Sequence, residues 1–131
     1  MLSILTIDDE WAICELMHDY LKKKGYRIRT SQSGQEALRL IDDERPDIVF
    51  LDLMMPDMTG EDILKKVKKR YPDLPVIVLT GLGCEKKAIE LLSQGAFDVI
   101  TKPINFCRIE QYLSFWAKLS HEDRTAKHPL T

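Results

Sequence analysis

Hydrophobic positions along the chain alternate between two kinds of segment. Short runs rich in β-branched residues are typical of strands, whereas longer stretches with apolar residues at three- and four-residue steps are typical of amphipathic helices. The predicted strands cover residues 3–7, 27–31, 48–51, 76–80 and 99–101. A helical stretch follows each of them, so the pattern predicts five strand–helix units.

Capping residues indicate where these helices begin and end. Glycine readily adopts the left-handed conformation of a C-terminal cap, and two glycines stand where the first and fourth helices should end: Gly25 and Gly95. Short polar side chains accept hydrogen bonds from the first turn of a helix, and they stand at the predicted starts of the second, third and fifth helices: Ser33, Thr59 and Asn105.

The positions of the larger apolar side chains predict the core. On the fourth helix, Ile89, Leu91 and Leu92 are expected to be buried. Trp11 and Trp116 are expected to pack inside the protein rather than to contact a cofactor.

Alternating strands and helices predict an α/β fold in which a parallel sheet is covered on both faces. The third and fourth strands are apolar without alternation, as expected of central strands buried on both sides. Crossover connections are right-handed, which limits the topology to a few doubly wound strand orders. A barrel fragment is the alternative, but a closed ring of that type needs eight units. Residues 1–119 are expected to form one domain, and residues 120–131 a tail or the start of a linker.

Composition narrows the classes of function. The chain has 131 residues, 19 Lys and Arg against 21 Asp and Glu, and a formal net charge of −2, which argues against nucleic acid as a direct partner. The N-terminus lacks the basic region of a signal peptide, and no apolar stretch is long enough to insert into a membrane. The three cysteines are widely spaced and are interpreted as reduced thiols of a cytoplasmic protein: Cys14, Cys84 and Cys107.

Polar side chains stand at the carboxyl ends of the strands, where ligands bind in an open α/β sheet. Asp8 and Asp9 follow the first strand, and Asp52 follows the third. The fourth strand ends in Thr80, and Lys102 follows the fifth. If the first and third strands are neighbours, the three carboxylates share one pocket. Carboxylates at such short distances repel unless a cation neutralises them, and Mg²⁺ prefers oxygen ligands of this kind.

Each of these residues also has a simpler interpretation. Asp9 is suited to capping the first helix, Thr80 is an ordinary strand residue, and Lys102 is suited to a surface turn. Asp52 is harder to explain in this way, because an unpaired charge is strongly disfavoured within the apolar run 48–55. Taken together, a carboxylate nucleophile with a hydroxyl and an ammonium group beside it predicts Mg²⁺-assisted phosphorylation of Asp52.

These residues belong to a series of motifs: Asp8-Asp9, residues 52–60, Thr80-Gly81 and residues 95–103. As a set, in this order and spacing, they resemble the receiver domain of two-component response regulators, the CheY-like family, over residues 3–118. The resemblance implies a flavodoxin-like three-layer sandwich whose five parallel strands run in the order 2-1-3-4-5. It places helices 1 and 5 on one face of the sheet and helices 2, 3 and 4 on the other.

The resemblance also implies a role for each acidic residue. Asp52 is the expected phosphoacceptor. Asp9, Asp52 and the backbone carbonyl of Met54 are expected to bind Mg²⁺ directly, while Asp8 acts through a metal-bound water. Met54 and Leu82 are expected to flank the route of the hydrolytic water. Because neither side chain can orient that water by a hydrogen bond, the phosphorylated form should lose its phosphate slowly.

Thr80 and Lys102 are implied to hold the phosphoryl group, and the peptide bond between Lys102 and Pro103 is expected to be cis. The phosphodonor is expected to be a sensor histidine kinase or a histidine phosphotransfer protein. The domain would then be a signalling receiver that catalyses only its own phosphorylation and dephosphorylation. The sequence does not name the downstream effector, and it leaves open a homodimer.

Val99 departs from the family pattern. Three residues before Lys102 the family usually has Tyr or Phe, whose ring turns inward as the Thr80 hydroxyl moves toward the phosphate. With Val99 there, we expect the output to rely on the loop after Thr80 and on helix 4. The valine also keeps open a degenerate receiver that acts as a phosphorylation-independent interaction module. An aspartyl-nucleophile phosphohydrolase is a weaker alternative, because such enzymes commonly have a second acid where Met54 stands.

Overall fold

The computed structural model describes residues 2–81 and 85–118, which form five strands and five helices in strict alternation. The strands are β1 (Ser3–Ile7), β2 (Arg27–Ser31), β3 (Ile48–Asp52), β4 (Val76–Thr80) and β5 (Asp98–Thr101). The helices are α1 (Trp11–Lys23), α2 (Gly34–Asp43), α3 (Gly60–Arg70), α4 (Glu85–Ser93) and α5 (Phe106–Lys118). Every predicted strand is present, with limits correct to within one residue. The predicted tail, residues 120–131, lies outside the described residues.

The five strands form one parallel sheet in the order β2-β1-β3-β4-β5, which confirms the doubly wound topology. β1 and β3 are neighbours, and Ile7 pairs with Leu51 in their register. The residues that follow these two, Asp8 and Asp52, therefore stand side by side at the carboxyl edge of the sheet. On the other side of β3, Asp52 pairs with Leu79 of β4.

Two hydrophobic clusters cover the two faces of the sheet, so the fold is a three-layer sandwich. On one face, α1 and α5 contribute buried side chains that include Met17, Tyr112 and Trp116. On the other face, the buried side chains come from α2, α3 and α4, and Ile63 and Leu91 are among them. This division of the helices is the one that the resemblance to receiver domains implied. Among the described residues, no helix is long and apolar enough to cross a membrane.

The caps lie where the sequence places them. Gly25 and Gly95 have positive φ angles of 91° and 108° at the ends of α1 and α4. Polar side chains accept hydrogen bonds from the first turns of the other three helices: Ser33 from the N–H of Glu36, Thr59 from that of Asp62, and Asn105 from that of Arg108. These contacts satisfy backbone donors that have no partner within the helix.

Three predictions of burial are wrong. Trp11 is 64% exposed, because it is the first residue of α1 and stands beyond the carboxyl edge of the sheet, away from the core. On α4, Ile89 and Leu92 are 59% and 44% exposed, whereas Leu91 is buried. With 3.6 residues per turn, two residues turn the helix by about 200°, so burial of Leu91 directs Ile89 toward the opposite side.

A tight loop joins β3 to α3. The N–H of Gly60 donates to the carbonyl oxygen of Leu53 at 2.9 Å, so the two ends of the loop formed by residues 54–59 lie next to each other. A Cβ atom on Gly60 would lie 2.7 Å from the Leu53 Cα and 2.8 Å from the Asp52 carbonyl oxygen. Only glycine permits this backbone approach, which keeps Met54 close to Asp52.

Candidate functional site

Three carboxylates converge at the carboxyl edge of the sheet. Asp8, Asp9 and Asp52 each offer an oxygen, and these oxygens lie within 4.8 Å of one another. Asp8 and Asp52 are buried, while Asp9 is exposed. The structure therefore brings together the three acids that the sequence analysis placed in one pocket. Asp9 does not cap α1, whose N-terminal cap residue is Glu10.

Lys102 is the cation of this cluster. Its Nζ lies 3.0 Å from Asp8 Oδ2 and 3.5 Å from Asp52 Oδ1, with Glu10 Oε1 at 3.7 Å on the exposed side. Burial disfavours the charged ammonium group, but the hydrogen bond and attraction of Asp8 outweigh it, so the pKa of Lys102 is raised. The Lys102 N–H donates to the Thr80 carbonyl oxygen at 2.7 Å, and the bond to Pro103 is cis as expected. One ammonium leaves the cluster with excess negative charge.

The electrostatics of the cluster centre on Asp52. Burial raises the pKa of Asp52 to about 6, and the negative charge of Asp8 adds to the shift. The Lys102 ammonium and a hydrogen bond from the Met54 N–H act in the opposite direction, without cancelling it. Asp52 is thus ionised at neutral pH at a cost in free energy, which a bound cation would relieve.

Thr80, Val99 and Met54 are the other predicted site residues that the structure describes. Thr80 ends β4 with 3% of its surface exposed. Val99 is half-buried on β5 and packs against the cluster that α2, α3 and α4 share. The Met54 side chain is 67% exposed. Leu82 lies outside the described residues.

The thiol of Cys14 supports the backbone below the site. It donates to the carbonyl oxygen of Asp8 at 3.3 Å, and the Ser31 carbonyl oxygen is 3.9 Å away. Burial raises the pKa of Cys14 to about 11, which keeps the thiol protonated and unreactive. Cys14 and Cys107 are both free; Cys84 lies outside the described residues.

Sequence reasoning missed the role of Asp57, which lies in the β3–α3 loop but contacts the start of α2. Its carboxylate accepts hydrogen bonds from the Gly34 N–H at 2.9 Å, the Ser33 hydroxyl at 3.0 Å and the Gln35 N–H at 3.1 Å. The backbone donors lower the pKa of Asp57 to about 2. No local pattern signals this contact, because its partners are more than 20 residues away in the sequence.

The family model described as "response regulator receiver domain" matches residues 4–114. The chain belongs to this family.

Individual relatives agree with this assignment. The response regulator SaeR of Staphylococcus aureus is 36% identical over 126 residues, which cover 93% of this chain and 55% of SaeR. NtrX from Brucella abortus, solved in complex with ADP, aligns with a TM-score of 0.85 at 32% identity, covering 95% of this chain and 29% of the NtrX chain. The BeF3-activated DrrB receiver domain aligns with a TM-score of 0.82 at 28% identity, covering 91% of this chain and 99% of the DrrB chain.

This receiver domain is a signalling module of two-component systems, and its flavodoxin-like fold is the expected one. Receiver domains bind Mg²⁺ at an acidic cluster, and Asp8, Asp9 and Asp52 form a candidate group for it. Such domains work with histidine kinases and effector domains. The receiver spans about half the length of the curated relatives it matches.

Neutralising Asp52 is expected to stabilise the metal-free receiver at neutral pH. Its pKa is raised from 3.8 to about 6, so its contribution to stability falls as the pH rises from about 4 to about 6. Asp52→Asn removes this penalty and should raise the free energy of unfolding at pH 7 by about 2 kcal/mol, with little change at pH 4. Chemical denaturation with EDTA at the two pH values measures the difference.

Asp43→Asn is the matched control, since Asp43 is exposed on α2 and, within the part of the chain that the structure describes, forms its ion pair with Arg39 across one turn. It should give no gain that grows with pH. Equal effects of Asp52→Asn at pH 4 and pH 7 would contradict the assigned burial and repulsion.

Proposed function

We propose that Asp52 accepts a phosphoryl group from the phosphohistidine of a sensor histidine kinase or histidine phosphotransfer protein. A carboxylate oxygen of Asp52 would attack phosphorus while the bond from phosphorus to the imidazole nitrogen breaks, and the imidazole keeps the electron pair. The observation that supports Asp52 is the position of Lys102, which is hydrogen-bonded to Asp8 at 3.0 Å but lies 3.5 Å from Asp52, so that Asp52 is the less compensated of the two buried acids. Asp8 is also buried, but its carboxylate is engaged by Lys102 and by the N–H of Glu10.

We also propose that Asp9, Asp52 and the backbone carbonyl of Met54 hold Mg²⁺ directly, with Asp8 acting through a water. The donors fit the ion, because all are hard oxygen ligands and the cluster carries excess negative charge. When bound, Mg²⁺ would neutralise charge on the acids and on the phosphoryl oxygens. The Tyr or Phe that the family usually has at the position of Val99 is not required for binding Mg²⁺ or for phosphorylation.

Thr80 and Lys102 are proposed to contact the phosphoryl oxygens. The Lys102 ammonium already lies 3.5 Å from Asp52, so it is within reach of a group added to that carboxylate. Thr80 is the last residue of β4, the strand next to β3. We further propose that residues 1–119 form the receiver unit of a cytoplasmic regulator. Its effector is either a further domain or a separate protein, and the receiver acts either as a monomer or as a homodimer.

Phosphorylation at Asp52 can be tested with acetyl phosphate and Mg²⁺. The receiver should gain about 80 Da, the mass of one phosphoryl group, and Asp52→Ala should abolish the gain while Asp43→Ala retains it. Intact-protein mass spectrometry measures the adduct. Rapid turnover of phosphoesters would indicate the phosphohydrolase instead, and the absence of both activities would indicate a phosphorylation-independent interaction module.

The exposed Met54 side chain predicts slow loss of the phosphoryl group, because a thioether cannot orient an attacking water. Met54→Asn places an amide at this position and should accelerate dephosphorylation several-fold, whereas Met54→Leu should leave the rate close to that of the wild type. The decay of the +80 Da species after removal of phosphodonor gives the rate. Equal rates for Asn and Leu would refute the role of this side chain.

Helix α4 is the proposed route of the signal, since Val99 offers no ring to turn. Among the side chains of α4, Leu91 is the buried one, and an ion pair between Lys87 and Glu61 joins α4 to α3. Beryllofluoride with Mg²⁺ should therefore shift the amide resonances of residues 81–91 more than those of α3. Asp52→Ala should show no such shifts, and an unchanged α4 in the wild type would show that the signal leaves elsewhere.

A further inference from the structure

The β2–α2 loop, taken together with the last residue of β2 and the first two of α2 as residues 31–35, lies between the two loops that carry the proposed metal ligands. On one side, the Gln32 side-chain amide donates to the Asp9 carbonyl oxygen at 3.1 Å. On the other side, the Ser33 hydroxyl and the N–H groups of Gly34 and Gln35 donate to the Asp57 carboxylate. One loop therefore contacts both the β1–α1 loop and the β3–α3 loop.

The β3–α3 loop is held at two points. Its base is closed by the hydrogen bond between Gly60 and Leu53, and its far side is held against α2 by Asp57. Met58 adds a packing contact: a Cβ atom on Gly34 would lie only 2.3 Å from Met58 Cγ. Met54 lies within the segment between these two attachments.

Further hydrogen bonds connect the β2–α2 loop to β1. The Asp8 N–H donates to the Ser31 carbonyl oxygen at 3.0 Å. The Ser31 hydroxyl donates to the Ser33 carbonyl oxygen at 2.8 Å and accepts from the Ser33 N–H at 3.2 Å. A continuous series of contacts thus runs from the backbone of Asp8, through Ser31 and Ser33, to the carboxylate of Asp57.

The charge of Asp57 suits this attachment. The N-terminus of a helix carries a partial positive charge, and an ionised carboxylate accepts stronger hydrogen bonds than a neutral group. Because the backbone N–H groups of α2 lower the pKa of Asp57 to about 2, this side chain stays ionised throughout the neutral range. The contact therefore persists under the conditions in which Mg²⁺ binds.

We propose that the β2–α2 loop braces the metal site: without supplying a ligand, it fixes the spacing between Asp9 and Met54 through Gln32 and Asp57. Asp57 and Gln32 are thus positioning residues for Mg²⁺ binding. The inference rests on the proposed function, which makes Asp9 and the Met54 carbonyl ligands of the ion. It deepens that proposal by naming two side chains outside the cluster that set its affinity for metal.

The test is a titration with Mg²⁺ alone at pH 7 in the absence of denaturant. Binding is measured by calorimetry and by the shifts of amide resonances, after each variant has been shown to be folded. Loss of a residue that orients a metal ligand typically costs about tenfold or more in affinity, and we expect about tenfold weaker binding for Asp57→Asn. Gln32→Ala should weaken binding about threefold, the smaller effect of losing one neutral hydrogen bond.

Two controls match these variants. Asp43→Asn also removes one negative charge, but at the end of α2 opposite to the one that Asp57 contacts. Gln111→Ala truncates an exposed glutamine on α5. Both should bind Mg²⁺ like the wild type. A repeat at high salt screens the charge of Asp57, so an effect of Asp57→Asn that persists there reflects positioning rather than attraction.

The amide resonances provide a readout that a purely structural role would not change. In the wild type, those of Gly34 and Gln35 should shift during the titration with the same midpoint as calorimetry. In Asp57→Asn they should stop responding, while the amide of Asp9 still does. If Asp57→Asn does not fold, Gln32→Ala decides the question, because Gln32 is an exposed surface residue.

The outcomes separate the two proposals. If the wild type does not bind Mg²⁺, both the proposed function and the proposal that the β2–α2 loop braces the metal site (the brace) are wrong. A wild type that binds while both variants bind equally well would overturn the brace alone. An Asp57→Asn effect that disappears at high salt, with Gln32→Ala unchanged from the wild type, would also overturn the brace.

Discussion

Repulsion between Asp8 and Asp52 is the interaction on which the site depends. The adjacency of β1 and β3 and their register place these two buried acids side by side. Two like charges about 4 Å apart repel by roughly 4 kcal/mol at an effective dielectric constant of 20. Such a cost is large beside the stability of a small domain. The surrounding residues therefore have to compensate it, and Lys102 does so only in part.

Lys102 has to serve two acids with one ammonium group. It lies closer to Asp8 than to Asp52, at 3.0 Å against 3.5 Å, which leaves Asp52 the less compensated of the two. The raised pKa of Asp52 reflects the same imbalance. A cation that enters the cluster, or a phosphoryl group on Asp52, changes the charges that Lys102 faces. The excess negative charge thus makes the site responsive to the ligands that a receiver recognises.

Local sequence patterns predicted the elements well and long-range polar contacts poorly. Strand limits and the caps at Gly25, Ser33 and Gly95 follow from residues adjacent in the chain, so periodicity and turn chemistry were sufficient. The convergence of Asp8 and Asp52 followed from assuming the strand order, and the individual ligand roles came from family resemblance. The contact of Asp57 with α2 left no such signal, because hydrogen bonds between residues distant in sequence follow no hydrophobic period. Burial of Ile89 was predicted wrongly because a stripe of apolar residues does not show where a helix lies on the sheet.

The supports around the site are unequal, and this inequality favours one direction for a structural response. Toward α2, the β3–α3 loop is attached by Asp57 and by packing of Met58 against Gly34. Toward α4, attachment rests on the buried Leu91 and on the ion pair between Lys87 and Glu61, whereas α3 buries several apolar side chains. Segments with few buried apolar contacts move at the lowest cost in free energy. A change of charge at Asp52 is therefore expected to leave the α2 side in place and to move α4, even though Val99 cannot turn a ring.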